Sequence, residues 1–89
     1  MIKFIFTEKV RKKFQKLEVS DQKRIFEKLS FLKEHPDIFS IVKHLEDLPP
    51  STHRLRIGNF RLLLKVLENT KEQTTFRILK IGHRRDVYL

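Results

Sequence analysis

The fold of this chain is decided by the stretch HRLRIGNFRLLLKVLE, residues 53–68. Apolar residues recur at every second position on both sides of Gly58-Asn59, and this period of two is typical of β-strands. Two such strands joined by a short turn that contains glycine form a β-hairpin. The face of the hairpin that is predicted to meet the core carries Leu55, Ile57, Phe60, Leu62, Leu64 and Val66.

The other face of the hairpin is basic and carries Arg54, Arg56, Arg61 and Lys65. With a two-residue turn, Arg56 lies directly opposite Arg61. Like charges opposed across a ladder destabilise it, and an anion bound between them would remove that cost. Guanidinium forks match phosphate oxygens, so the pair is a candidate phosphate clamp. Two arginines that extend into water are an equally good interpretation of the pair taken alone.

The segments before the hairpin predict one strand and two helices. Ile2–Phe6 alternates as a strand, and Thr7 is placed to cap a helix that ends near Leu17. A second helix is predicted from Ser20 to the bond before Pro36, where proline disfavours helical geometry. Its predicted buried stripe is Ile25, Phe26, Leu29 and Leu32.

The remaining segments complete a single domain that spans residues 1–89. Residues 37–50 are apolar without a clear period, and we expect them to connect and to lie over the core. A third strand of the meander is predicted at 76–81, with Leu79 and Ile81 inward. That parity sends Ile78, Lys80, Gly82 and Arg84 to the basic face. The predicted fold is α+β, ordered β-α-α-β-β-β, with a helical hairpin covering a mainly antiparallel four-stranded sheet.

The charge of the chain indicates a polyanionic partner. Twenty Lys and Arg against eleven Asp and Glu give a net charge of +9, which fits nucleic acid, an anionic membrane surface or an acidic protein, or simply keeps the domain soluble. Cysteine is absent and no apolar run is long enough for a signal peptide or membrane helix. We expect a soluble, cytoplasmic protein without membrane contact. The four His residues lack ligand spacing, so no metal or other cofactor is predicted.

Two motifs together resemble the RelE/ParE toxin superfamily of toxin–antitoxin modules. They are RLRIGNFRLLLKV at 54–66 and IGHRRDVY at 81–88, and the resemblance in element order covers the whole chain. For RelE-type members it implies metal-independent cleavage of messenger RNA on the ribosome, which inhibits translation. Because RNA carries its own 2′-hydroxyl nucleophile, we expect 2′,3′-cyclic phosphate and 5′-hydroxyl ends.

The resemblance and the basic face give the candidate site. Its predicted catalytic residues are Arg56, Arg61, Arg84 and Tyr88, and its predicted RNA-binding residues are Arg54, Lys65, Lys80, His83 and Arg85. Arg54 and Arg56 stand where RelE itself has lysines, and arginine does not give up its proton, so the general base stays open. His83 is a candidate proton shuttle, although its parity points inward. The basic residues of the first helix, Lys9, Arg11, Lys12, Lys13 and Lys16, are predicted to form a solvated face, and contact with ribosomal RNA phosphates is the alternative.

The expected partners follow from the same resemblance. They are the ribosome with its mRNA and a cognate antitoxin that is acidic where it covers the basic face or displaces the tail. Operator DNA is expected to bind only through the antitoxin complex. The alternatives from the same superfamily are a ParE-type inhibitor of DNA gyrase and a catalytically inactive binding module.

Overall fold

The computed structural model describes residues 1–88 and has the predicted α+β architecture, with two helices packed on one sheet. The predicted fold class is confirmed. The elements in chain order are β1 (Ile2–Phe6), α1 (Glu8–Gln15), α2 (Val19–Leu32), a 3₁₀ turn (Ile38–Ser40), β2 (Lys43–His44), β3 (His53–Ile57), β4 (Phe60–Asn69) and β5 (Thr74–His83).

The sheet of the described chain has five strands in the order β1-β5-β4-β3-β2, one more than predicted. β1 runs parallel to β5, and the other neighbours are antiparallel, so the sheet is mainly antiparallel as expected. The additional strand is β2, which lies in the segment predicted to be a connection. It pairs only Lys43 with Arg54 and His44 with His53, and two residues are too few to show a strand period.

The helices begin and pack for local reasons that the sequence indicates. The Thr7 hydroxyl accepts a hydrogen bond from the Val10 amide at 3.2 Å, which caps α1 as predicted. In α2, Ile25, Leu29 and Leu32 are buried. The prediction that Phe26 joins them is wrong, because its side chain is 64% exposed. Phe26 follows Ile25 directly, and consecutive helical residues point about 100° apart.

The core lies between the helices and one face of the sheet. Leu55, Leu62 and Ile81 lie side by side across β3, β4 and β5, and each is completely buried. Phe76 is also fully buried, and its ring stacks on Phe4 of β1 with centroids 5.8 Å apart. These contacts fix which face of the meander is left for polar side chains.

A β-bulge in β5 changes the predicted parity of that strand. Leu63 pairs with Lys80 and Leu64 pairs with Ile78, so Leu79 is the extra residue. Ile78 therefore points into the core, and the prediction that Leu79 points inward and Ile78 outward is wrong. The inward direction of Ile81 is confirmed. Beyond the bulge, Lys80 and Gly82 lie opposite Leu63 and Arg61, on the basic side as predicted.

Candidate nucleic-acid interface

The predicted hairpin register is confirmed. Ile57 pairs with Phe60 and Arg56 pairs with Arg61 across a turn in which Gly58 has a φ of +57°. A positive φ at the first central residue favours glycine there. Two rows of residues result on the side of the sheet away from the core, which we call the arginine face. They are Arg54–Leu63–Lys80 and Arg56–Arg61–Gly82.

Arg61 is the central residue of the arginine face, and it is buried, with 8% of its surface exposed. Its Nη1 donates to the carbonyl oxygens of Gly58 at 3.0 Å and Phe60 at 2.9 Å. Within residues 1–88, no carboxylate lies within 4.0 Å of this guanidinium. The two arginines of the predicted clamp therefore differ in exposure. Arg56 is exposed, whereas Arg61 is buried and donates to the carbonyl oxygens of the turn.

Burial and neighbouring charges together lower the pKa of the Arg61 guanidinium. Burial lowers the pKa of the Arg61 guanidinium from its ordinary value, and the neighbouring cations Arg56, Arg54 and Arg84 lower it further, while Tyr88 acts in the opposite direction. The sequence-predicted residues Arg54, Arg56, Arg84 and Tyr88 are thus close enough to influence one buried cation. A buried cation that has no carboxylate partner within residues 1–88 favours the binding of an anion nearby.

The residues after β5 fold back across the arginine face. The Asp86 and Val87 amides both donate to the His83 carbonyl oxygen, at 2.8 and 3.0 Å, and close a tight turn. Val87 is fully buried and packs against Gly82, whose missing side chain leaves room for it. This turn directs the following residue over β4 towards β3.

Tyr88 and Arg84 reach the face through this fold-back. Arg54 Nη1 donates to the Tyr88 hydroxyl oxygen at 3.0 Å, which joins the end of the described chain to β3. The Arg84 amide donates to the Asn59 carbonyl oxygen at 2.9 Å, which holds Arg84 beside the hairpin turn. Tyr88 remains 39% exposed, so its ring is accessible from solvent.

The other predicted RNA-binding residues are dispersed. Lys65 and Lys80 lie on the arginine face, and Lys65 pairs with Arg77 at a greater distance from Arg61 along β4. His83 lies on the core side, as its parity predicted, where its exposed ring stacks on Phe60 with centroids 4.5 Å apart. His83 and Arg85 line a cleft with Asn59 at the end of the sheet. Arg84 lines the same cleft. His83 therefore lies beside one catalytic candidate, while Arg56 and Arg61 lie on the opposite face of the sheet.

Lys13 reaches the arginine face although the sequence placed it on a solvated helical surface. A Cβ built on Gly82 would lie 3.3 Å from Lys13 Nζ and 3.8 Å from the Val87 Cβ. Gly82 indicated that some group approaches the sheet here, but no sequence pattern identifies which side chain does so. The fold brings Lys13 in because α1 packs against β5.

Two further observations describe the chemistry of the described chain. In residues 1–88, no group of three or more His, Cys, Asp or Glu side chains is placed to hold a metal ion. No helix in that range combines the length and the apolar character needed to cross a membrane.

Known structures share this fold. The toxin–antitoxin complex RelBE2 from Mycobacterium tuberculosis matches at 27% identity with a TM-score of 0.70, over 92% of this chain and 96% of that chain. The archaeal RelE–RelB complex from Pyrococcus horikoshii matches at 22% identity with a TM-score of 0.67, over 97% and 98%. The isolated RelE toxin from E. coli matches at 20% identity with a TM-score of 0.61, over 91% and 82%.

The sequence itself gives one family match. A comparison with curated proteins finds no significant match. The model of the ParE toxin of type II toxin–antitoxin systems matches residues 4–88, which is nearly the whole chain. The chain therefore belongs to the ParE toxin family, within the RelE/ParE superfamily of type II toxins.

Proposed function

We propose that this toxin is a RelE-like endoribonuclease that cuts messenger RNA on the ribosome without a metal ion and so inhibits translation. The observation that carries the proposal is Arg61, a buried guanidinium that lacks a carboxylate partner in the described chain and has Arg54, Arg56, Arg84 and Tyr88 around it. A phosphate is the anion that such a set of forks recognises. The residue pattern of the superfamily supports the same choice.

The buried position of Arg61 makes its charge effective. Coulomb interactions strengthen as the effective dielectric constant falls, so a phosphate that binds over Arg61 gains more than it would from an exposed arginine. Arg56 and Arg84 are exposed, and both act electrostatically on Arg61. In this proposal the three cations stabilise the negative charge that grows on the phosphorane oxygens.

Cleavage then needs one bond to form and one to break. The 2′-oxygen of the ribose attacks the adjacent phosphorus, and the bond from phosphorus to the 5′-oxygen breaks, which leaves 2′,3′-cyclic phosphate and 5′-hydroxyl ends. Tyr88 is proposed to orient the 2′-hydroxyl and to accept its proton at the phenolic oxygen. The hydrogen bond that Arg54 donates to its oxygen supports this role, because a charged donor stabilises a negative oxygen.

The remaining basic residues are proposed to hold the RNA backbone. Lys80 and Lys65 extend the arginine face along β5 and β4, with Lys80 nearer to the proposed phosphate position than Lys65. Arg85 and the His83 ring lie at the end of the sheet, and they are proposed to contact ribosomal RNA. Contacts of this kind contribute affinity that falls steeply with salt, because each phosphate contact releases counterions.

A cognate antitoxin is the proposed regulator of residues 1–89, which we treat as one toxin domain. The similar structures from Mycobacterium tuberculosis and Pyrococcus horikoshii are complexes with an antitoxin. A net charge of +9 favours an antitoxin that is acidic where it covers the arginine face. Operator DNA is proposed to bind through that complex, and the site of action is the cytoplasm, where ribosomes translate.

A second candidate function is inhibition of DNA gyrase. The family model that matches residues 4–88 is that of ParE, and this observation favours the alternative. A gyrase inhibitor needs a protein-binding surface and does not cleave a phosphodiester bond. The two candidates therefore differ in whether a message is cut.

The test is to add purified toxin to ribosomes programmed with a defined message and to map the new RNA 5′ ends. We expect cuts in the A-site codon with 5′-hydroxyl ends for the wild type and a loss of about a hundredfold or more in rate for Arg84→Ala. Arg11→Ala, which removes an exposed charge from α1, is the matched control. Intact messages together with inhibited supercoiling by gyrase would replace this proposal with the second candidate.

A further inference from the structure

The arginine face receives an ammonium group from α1. Lys13 Nζ lies 3.3 Å from the position of a Cβ on Gly82. Gly82 pairs directly with Arg61, so Lys13 lies at the β5 end of the row that also contains Arg56. Lys13 is exposed, which leaves its ammonium group accessible to a ligand on this face.

We infer that Lys13 is the general acid of the reaction and donates its proton to the 5′-oxygen that leaves the phosphorus; this inference rests on the proposed function. A leaving alkoxide needs a proton, and the arginines around Arg61 do not release theirs. Lysine carries three rotatable donors on a flexible stem and exchanges protons readily. His83, the other candidate shuttle, stacks on Phe60 at the core side of the sheet.

The positions of Lys13 and Tyr88 fit an in-line displacement. Arg54 holds Tyr88 at β3, and Lys13 lies at β5, while Arg61 lies between them on β4. Strands on the two sides of a third strand are about 10 Å apart, so side chains from β3 and β5 reach a phosphate above β4 from opposite directions. The attacking and leaving oxygens lie on opposite sides of the phosphorus in this geometry.

The proton and bond changes balance. The 2′-oxygen to phosphorus bond forms as the 2′-hydroxyl proton moves to the Tyr88 oxygen. The phosphorus to 5′-oxygen bond breaks as one proton moves from Lys13 Nζ to that oxygen, which gives a 5′-hydroxyl end and a neutral amine. Tyr88 then releases its added proton to water and Lys13 takes one up from water, which restores both groups without an oxidant or metal.

A modified leaving group tests the role directly. The message carries a single sulfur in place of the bridging 5′-oxygen at the mapped cleavage position, because a thiolate leaves without a proton. Lys13→Met should slow cleavage of the ordinary message by about a hundredfold, a typical contribution of a general acid. On the sulfur-containing message the same variant should stay within about threefold of the wild type.

Three variants separate proton donation from charge and from folding. Lys13→Arg keeps the positive charge but should still slow cleavage of the ordinary message, because arginine does not donate the proton. Gly82→Ala should partly slow cleavage of the ordinary message, because the new Cβ lies only 3.3 Å from Lys13 Nζ and displaces it. The 3.8 Å between the new Cβ and the Val87 Cβ is a normal van der Waals contact. Lys12→Met is the control, because Lys12 is the neighbouring lysine of α1 and forms an ion pair with Glu8 at 3.7 Å.

The outcomes distinguish this inference from the proposed function. If the wild type cuts neither message, the proposed function fails and Lys13 has no reaction to serve. If the wild type cuts both messages and Lys13→Met is slowed equally on both, or on neither, the nuclease function stands and the general-acid role is overturned. Thermal unfolding of the Lys13 and Lys12 variants should match that of the wild type, because both side chains are exposed.

Discussion

The two faces of the β3-β4-β5 meander have opposite chemistry although they alternate along the same strands. On the core face, Leu55, Leu62 and Ile81 form a row that is completely buried. On the arginine face, the adjacent row opposes Arg56 to Arg61 and ends at Gly82. One row stabilises the fold, whereas in the other row burial and the neighbouring Arg56 lower the pKa of the Arg61 guanidinium. The hairpin thus combines an apolar core face with a face on which two arginines are opposed.

The largest expected effect of a substitution on stability lies on the core face. Leu62→Ala removes a side chain with no exposed surface and should lower the free energy of unfolding by about 2–5 kcal/mol. Chemical denaturation followed by circular dichroism measures this loss. A loss comparable to that of Leu67→Ala, an exposed position on the same strand, would contradict the burial assigned to Leu62.

The arginine face should respond in the opposite way. Arg56→Ala should reduce the rate of mRNA cleavage by about a hundredfold, because it removes a cation from the proposed phosphate position. Its free energy of unfolding should change by less than about 0.5 kcal/mol, since an exposed side chain is lost and repulsion of Arg61 is relieved. Arg11→Ala, which removes an exposed arginine from α1, should retain both properties. Equal rate losses for the two variants would show that the overall positive charge, and not the arginine face in particular, supports cleavage.

The turn that holds both faces in register should show an intermediate effect. Gly58 has a φ of +57°, and a side chain in this region costs roughly 1–2 kcal/mol. Gly58→Ala should therefore lower the free energy of unfolding by that amount. Asn59→Ala is the matched control, because no residue other than glycine has a positive φ in the described chain, and it should be nearly neutral. Equal effects of both substitutions would show that the turn does not require the left-handed conformation.

The smallest expected effect is a pH dependence at the other end of the core face. His53 is buried beside Phe76, and burial, followed by the nearby His44, lowers the pKa of His53 from its ordinary value of 6.5. The unfolded chain therefore binds this proton at a higher pH than the folded chain. The stability from the neutral ring is fully present above about pH 6.5 and is lost as the pH falls through the folded-state value. His53→Gln should flatten the stability profile between pH 5 and 7, and an unchanged slope would contradict this origin.

The sequence predicted the parts of the molecule that depend on periodicity. The hairpin register and the inward direction of Ile81 follow from alternation and from one glycine turn. The bulge at Leu79 escaped prediction because both faces of β5 carry apolar side chains, so that either parity fitted. The sequence also missed β2, whose two residues have no period, and the exposure of Phe26, which neighbours a buried position in α2.

The sequence indicated several side chains that lie around Arg61, but it did not predict their geometry. Charge pattern and resemblance selected Arg54, Arg56, Arg84 and Tyr88, which the structure brings near Arg61. Arg61 is buried and donates to the carbonyl oxygens of Gly58 and Phe60. Strand alternation predicts the face on which Arg61 lies, but it predicts neither this burial nor these hydrogen bonds. The approach of Lys13 also escaped prediction, because only the packing of α1 on β5 places its ammonium group beside Gly82.

The most direct measurement of whether the arginines act together is a double-mutant cycle on single-turnover cleavage with Arg56→Ala and Arg84→Ala. If both guanidiniums stabilise one phosphate, the double variant should lose less than the product of the single losses, with a coupling of at least about 0.5 kcal/mol. The pair Arg84→Ala and Arg11→Ala provides the uncoupled reference. Losses that simply multiply for Arg56 and Arg84 would place the two cations on different phosphates and contradict a single convergent site.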